Sequence, residues 1–299
     1  MKPINIAQVD TLARILGKDI QFLQSIALHI DNYYIEDLTD KKSGELRILH
    51  KPRYTLKIIQ KNIKKVLVGI PLPDCVHGWV RGKSVKSAVE PHRGMKYLYC
   101  FDIRSYFDTV HSKRVYILFT KKLKCAPEPA QLLTRLSTYK ASLPQGSPCS
   151  PFIANLLLFD FDVSMNVYAK RRNAKYSRLG DDILLSSNYK LDDAVHVVVS
   201  GLCRYGLKIN KDKTNFGTPL KSGVKVLGIV IGSGVTVSSK YRRELEAILH
   251  NAQKTGLNLQ NREGRFDMRK HLFGRITLIE LYQPEYGAQL RNKLKIIQN

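Results

Sequence analysis

Residues 175–187 read KYSRLGDDILLSS: two short β-prone runs joined by a glycine and two aspartates. Gly180 tolerates a positive φ, and aspartate bonds its own backbone, so the centre predicts a tight turn and the flanks its two strands. The hairpin tip then holds the adjacent carboxylates of Asp181 and Asp182, which repel each other unless a cation lies between them. A plain solvated turn uses the same residues. Paired aspartate oxygens also suit Mg²⁺, a hard ion that takes oxygen ligands. The second reading requires a third carboxylate, a phosphate-bearing substrate and a basic surface elsewhere in the chain.

The basic surface is plain in the composition. Among 299 residues, 49 Lys and Arg stand against 25 Asp and Glu, a net charge of +24. Such an excess points to a polyanionic partner, nucleic acid first and an anionic membrane surface second. The 43% apolar and 25% charged content is that of a folded chain. Its length allows two or three subdomains. No apolar run approaches the roughly 20 residues needed to span a bilayer. The N-terminal MKPINIAQVDTLARILGKDI has scattered charges and no signal-peptide core, so the expected location is the cytoplasm, away from a membrane. Cys75, Cys100, Cys125, Cys149 and Cys203 form no C-x-x-C pair, so reduced thiols and no structural zinc are expected.

Periodicity orders the remaining elements. Apolar spacing predicts helix through residues 4–38. Residues 41–65 hold nine Lys and Arg against one Glu. Within them Lys41–Gly44 predicts a turn, ELRILHK a strand, and Leu56–Leu67 an amphipathic helix with a basic face. Met95–Ile103 is a β-rich run ending near Asp102. A long helix follows SLPQGSPCS, with Ser150 as N-cap and Pro151 in its first position. Leu191–Leu207 predicts a helix ended by Gly206, and Val224–Ser238 a second hairpin turning at 232–234. Residues 239–299 predict helices with basic faces. Hairpins alternating with helices, without tandem βαβ units, predict an α+β fold: an antiparallel sheet backed by helices. In such a sheet Asp102 would lie beside the Asp181 hairpin as the third carboxylate. Three carboxylates at strand ends can hold two Mg²⁺ ions for phosphoryl transfer.

FDIRSYFDTV, LPQGSPCSPFIANL, Gly-Asp-Asp on a hairpin, GLKINKDKT and VLGIVI, in that order, resemble the motif set of reverse transcriptases. The small size and GWVRGKSVKSAVEPHRG ahead of Asp102 resemble bacterial retron reverse transcriptases within that superfamily. The resemblance spans roughly residues 30–290 and implies a right-hand polymerase. Its fingers would be residues 1–95. The palm would be 96–232, with an inserted fingers segment near 111–145, and the thumb 233–299. It implies RNA-templated DNA synthesis from dNTPs with two Mg²⁺ ions, held by Asp102, Asp181, Asp182 and the Ile103 carbonyl. Phe107 matches the aromatic gate that excludes a ribose 2′-OH, and Gln145 lines the incoming-nucleotide site. Arg47 contacts the triphosphate, and Lys213 donates a proton to pyrophosphate. For a retron enzyme it also implies a structured non-coding RNA as template and primer, a branched RNA-linked DNA product, and anti-phage defence with a separate effector protein.

Three positions depart from the family pattern. Leu179-Gly180 precedes the aspartates in place of Tyr and Ala or Met. Three residues separate Ser87-Ala88 from His92, where retron enzymes commonly carry Asn-Ala-x-x-His. Val226-Leu227-Gly228 replaces Val-Thr-Gly. Gly-Asp-Asp is also the usual form in RNA-dependent RNA polymerases, which stay open as an alternative, as do abortive-infection and group II intron-like reverse transcriptases. A catalytically idle RNA-binding scaffold is opposed by the presence of all three aspartates. In Ser238–Ala252, Tyr241, Leu245, Ile248, Leu249 and Ala252 predict a face buried against the palm. Lys240, Arg242 and Arg243 crowd the first turn, where cations oppose the helix dipole, and so point to RNA phosphate contact.

Overall fold

The computed structural model describes residues 1–40, 46–219, 223–261 and 267–297. They fall into two units: Met1–Ala88 with Tyr99–Leu185 and Leu191–Phe216, and Val89–Leu98 with Ser186–Lys190 and Gly217–Asn299.

The helix expected over 4–38 is two helices and a strand. Helix α1 (Val9–Leu16) stops at Gly17, whose φ of 64° caps it in the left-handed region. Helix α2 (Ile20–Leu28) restarts at Asp19, whose carboxylate accepts from the Gln21 and Phe22 amides. Strand β1 (Tyr34–Asp40) then pairs antiparallel with β2 (Leu46–Pro52), Tyr34 opposite Pro52 and Asp40 opposite Leu46. That pairing partner overrides the helical pattern of YIEDLTD. The turn expected at Lys41–Gly44 lies outside the described residues. Helix α3 (Tyr54–Val68) buries Leu56, Ile59, Ile63 and Leu67 and leaves Lys57, Lys61 and Lys65 exposed, as its pattern predicts.

After α4 (Val85–Val89), strand β3 (Tyr97–Asp102) leads into α5 (Tyr106–Thr109) and α6 (Ser112–Ile117). Helix α7 (Pro127–Ser137) and the Pro-Gln-Gly loop precede α8 (Ser150–Leu157). Its N-cap is Cys149, one residue ahead of the expected Ser150, with Pro151 inside the first turn. The long helix expected here bends by 50° between α8 and α9 (Phe159–Arg171). No single helix among the described residues is long and apolar enough to cross a membrane; only this bent pair passes by length and composition, and Ile153, Leu156, Phe161 and Met165 of the pair are buried.

Strands β4 (Lys175–Leu179) and β5 (Asp182–Ser187) form the expected hairpin, and α10 (Ala194–Cys203) is shorter than 191–207 at both ends. With β6 (Asn215–Pro219) they make a four-stranded sheet in the order β4-β5-β3-β6. Ile183, Leu184 and Leu185 are all buried, so β5 is covered on both faces, as suits an inner strand.

In the second unit, β7 (Val224–Val226), β8 (Ile229–Ile231) and β9 (Val235–Val237) form an antiparallel meander. The hairpin at 232–234 is as expected, and a further turn at Leu227-Gly228 adds the third strand. Helices α11 (Ser239–Thr255), α12 (Met268–Glu280) and α13 (Pro284–Ile296) follow. Ser238 caps α11 by accepting from the Tyr241 amide at 3.2 Å. The α11 face buries Leu245, Leu249 and Ala252, while Tyr241 and Ile248 are half-buried. It packs with α12 and α13.

All five cysteines are free; Cys75, Cys125 and Cys149 are buried, Cys100 is half-buried and Cys203 is exposed. Burial pushes the Cys75, Cys100 and Cys149 thiols up to about 12 and raises that of Cys125.

Candidate active site

Asp102 is the last residue of β3, and Asp181 and Asp182 close the β4–β5 turn. The turn has two residues, with φ positive at Gly180 (70°) and not at Asp181, the pattern of a type II′ hairpin. The Ile103 amide donates to the Asp181 carbonyl at 3.0 Å, tying the end of β3 to the hairpin tip. On the other side the Asn210 amide donates to Asp102 O at 2.7 Å, and the Arg104 amide to Lys208 O at 2.8 Å. These bonds use the carbonyls of Asp102, Lys208 and Asp181, and leave that of Ile103 out of the ladder.

The Asp182 carboxyl is pushed up to about 7, first by burial and then by the Asp181 and Asp102 charges, with Lys213 opposing. Lys213 sits in the turn that follows Asn210, its Nζ 3.5 Å from Asp102 Oδ2 and its side chain 67% exposed. Among the described residues no three His, Cys, Asp or Glu side chains enclose a metal position as they stand. The donor set nevertheless fits a hard divalent cation: it is all oxygen, its charges repel, and a lysine ammonium already leans on one member.

The support under the tip lies two residues before the turn. Arg178 is fully buried in β4, and its guanidinium donates to both Asp162 oxygens, at 2.8 and 2.7 Å. It donates also to Asn155 Oδ1 at 3.0 Å and to the Gly180 carbonyl at 2.8 Å. Tyr176 donates to Asp162 Oδ1 at 2.7 Å, and Asn155 to the Gly78 carbonyl at 2.8 Å. Helices α8 and α9 therefore hold the turn through a bidentate ion pair. None of these residues was singled out by motif. The available signal was weak: an arginine in a short β-prone run and an aspartate in the helix before it.

Phe107 is half-buried in α5, its ring 5.6 Å from that of Tyr106 and 5.8 Å, edge-on, from that of Trp79. Gln145 donates to Asp108 Oδ2 at 2.8 Å, a link between the Pro-Gln-Gly loop and α5 that the motif does not reveal. Gly146 is required there, because a Cβ would stand 2.5 Å from the His50 carbonyl of β2. The loop is thus seated on the strand that carries Arg47, whose backbone pairs with Thr39; its side chain lies outside the described atoms. A groove of about 760 Å³ lies apart from these residues, among Leu28, Tyr116, Arg135, Tyr139 and Lys140, and contains none of the predicted site residues.

At the start of α11, Lys240 and Arg243 are exposed and Arg242 is half-buried. Arg242 donates to Ser239 Oγ at 3.4 Å and Arg243 to Ser239 O at 3.5 Å, so both bend back on their own helix.

Residues 39–231 match the family described as reverse transcriptase (RNA-dependent DNA polymerase). The chain belongs to the reverse transcriptase family. Its relatives are of the retron type. It is 28% identical to the retron Se72 reverse transcriptase of Salmonella heidelberg, over 96% of this chain and 78% of that one. Identity is 25% to the retron Mx65 reverse transcriptase of Myxococcus xanthus, over 96% and 71% of the two chains. With the retron Ec86 reverse transcriptase of Escherichia coli it is 29%, over 78% and 74%. Among solved structures, telomerase from Candida albicans in complex with a TWJ fragment of telomeric RNA superposes with a TM-score of 0.52 at 12% identity, covering 88% of this chain and 56% of that one. The fold is therefore the α+β right-hand polymerase fold, and the enzyme is an RNA-directed DNA polymerase.

Proposed function

We propose that this reverse transcriptase copies a cognate structured RNA, which serves as both template and primer, into branched RNA-linked single-stranded DNA. The observation that carries the reading is the Ile103–Asp181 bond, which sets Asp102 beside the paired aspartates in a chain similar along its length to retron enzymes. Asp102, Asp181, Asp182 and the Ile103 carbonyl would hold two Mg²⁺ ions. Bound there, the ions would supply the positive charge that phosphoryl transfer needs.

The chain's own residues do the selecting and placing. Phe107 fills the space a ribose 2′-OH would take, and Gln145 braces the loop beside it through Asp108. Arg47 meets the triphosphate. Lys213, drawn to Asp102 until substrate arrives, turns to the leaving pyrophosphate and gives it a proton. The fingers are residues 1–95. The palm is 96–232 with an inserted segment near 111–145, and the thumb 233–299. The setting is the cytoplasm, and the biological role is defence against phage with a separate effector protein.

Sequencing the nucleic acid that co-purifies with the protein tests the template: one RNA joined to its DNA copy supports the retron reading, and a random RNA population removes it. Phe107→Ala tests the gate. It relieves a steric clash only, so rNTP efficiency should rise relative to dNTP; an unchanged ratio takes the gate role from Phe107.

A further inference from the structure

Gly180 has no side chain, and another residue occupies the space where one would be. A Cβ built on Gly180 would stand 2.9 Å from Cη2 and 3.1 Å from Cζ3 of Trp79. The approach is close along the whole segment: a Cβ on Gly78 would lie 2.5 Å from the Gly180 amide nitrogen. The His77 amide donates to Arg178 O at 2.8 Å and the Gly78 carbonyl accepts from Asn155, so residues 77–78 are strapped along β4 by the network that supports the turn. Trp79 itself has a φ of 54°, a region that bulky side chains rarely enter and that persists where the surroundings impose it. The residue is 43% exposed, more than burial alone would ask of so large a side chain. The ring also meets that of Phe107 edge-on.

We propose that Trp79 is a positioning residue for sugar selection: it covers the glycine of the Gly-Asp-Asp turn and props Phe107 at the ribose. The inference rests on the reading of Phe107 as the gate. Position 180 and position 79 then act as one unit. The family pattern puts Ala or Met where Gly180 stands; in this chain that volume belongs to an indole carried by another segment. Phe107 is braced from the side of the catalytic turn, so the distance between gate and metal seat is set by one ring.

The test is the ratio of kcat/KM for rNTP to that for dNTP on a primed RNA template. Trp79→Leu removes the edge contact and should raise the ratio about two- to tenfold, the range that one aromatic edge-to-face contact is worth. Trp79→Phe keeps a ring and should hold the ratio near wild type. Gly180→Ala approaches from the other side, since its Cβ drives the indole off, and should also raise the ratio whatever it does to kcat. Added to Phe107→Ala, Trp79→Leu should raise the ratio no further, because Trp79 acts through Phe107. If Phe107→Ala raises the ratio while Trp79→Leu and Gly180→Ala only lower kcat for both sugars, Trp79 is packing and this inference is overturned alone. If Phe107→Ala itself leaves the ratio unchanged, the gate reading fails and takes this one with it. Thermal melts of each variant confirm that folded protein is being compared.

Discussion

The hairpin tip and the first turn of α11 both gather like charges, and the protein treats them in opposite ways. At the tip, Asp181 and Asp182 stand on a turn whose carbonyl is held by Arg178, itself locked to Asp162 with neither side chain exposed. At the helix, Lys240 and Arg243 stand in solvent and the two arginines bend back to Ser239. On the proposed reading, phosphoryl transfer at the tip would need charges fixed to fractions of an ångström, and a buried ion pair beneath it suits that need. On the proposed reading the helix would meet a phosphate backbone, which long, exposed side chains such as Lys240 and Arg243 can settle on.

The sharpest break in that comparison is Asp102→Asn or Asp181→Asn. Either should cut DNA synthesis by on the order of 10²–10³-fold or more, because charge stabilisation of the transition state is lost, and should leave RNA affinity nearly intact. Primer extension and filter binding on the same preparation read both; near wild-type extension in Mg²⁺ would remove the metal assignment. Next in size is Arg178→Met. It strands a buried Asp162 charge and should destabilise the fold by about 3–5 kcal/mol, read by denaturant melts. A melt within error of wild type would mean that the tip stands without its ion pair. The smallest effect belongs to the helix: Arg242→Glu with Arg243→Glu should weaken binding to structured RNA with the protein still folded. Each lost phosphate contact flattens the salt dependence by about one unit. A fall of about two units counts both arginines as contacts, and about one leaves only the exposed Arg243. Unchanged affinity and slope exclude this surface.

What could be read in the sequence follows the same division. The Gly-Asp-Asp turn and the buried stripe of α3 depend on residues within four positions of one another, and were legible. The placement of Asp102 beside the tip was legible only because motif order stood in for topology. Strand β1 was hidden, since YIEDLTD becomes a strand only when β2 folds back on it. The Arg178–Asp162 pair was hidden too, because it joins a strand to a helix 16 positions away. Trp79 was hidden most deeply: what it touches is a missing side chain, and a glycine does not announce which ring will lie on it.

The thiols carry a practical consequence. Alkylating reagents attack thiolates that they can reach. Cys75, Cys125 and Cys149 are sealed and hold their protons, Cys100 is half-covered behind Asp182, and Cys203 at the end of α10 lies open. A maleimide dye added to the unaltered chain therefore reacts first at Cys203, the exposed thiol at the end of α10. The enzyme can be tagged for single-molecule observation without first being stripped of its cysteines.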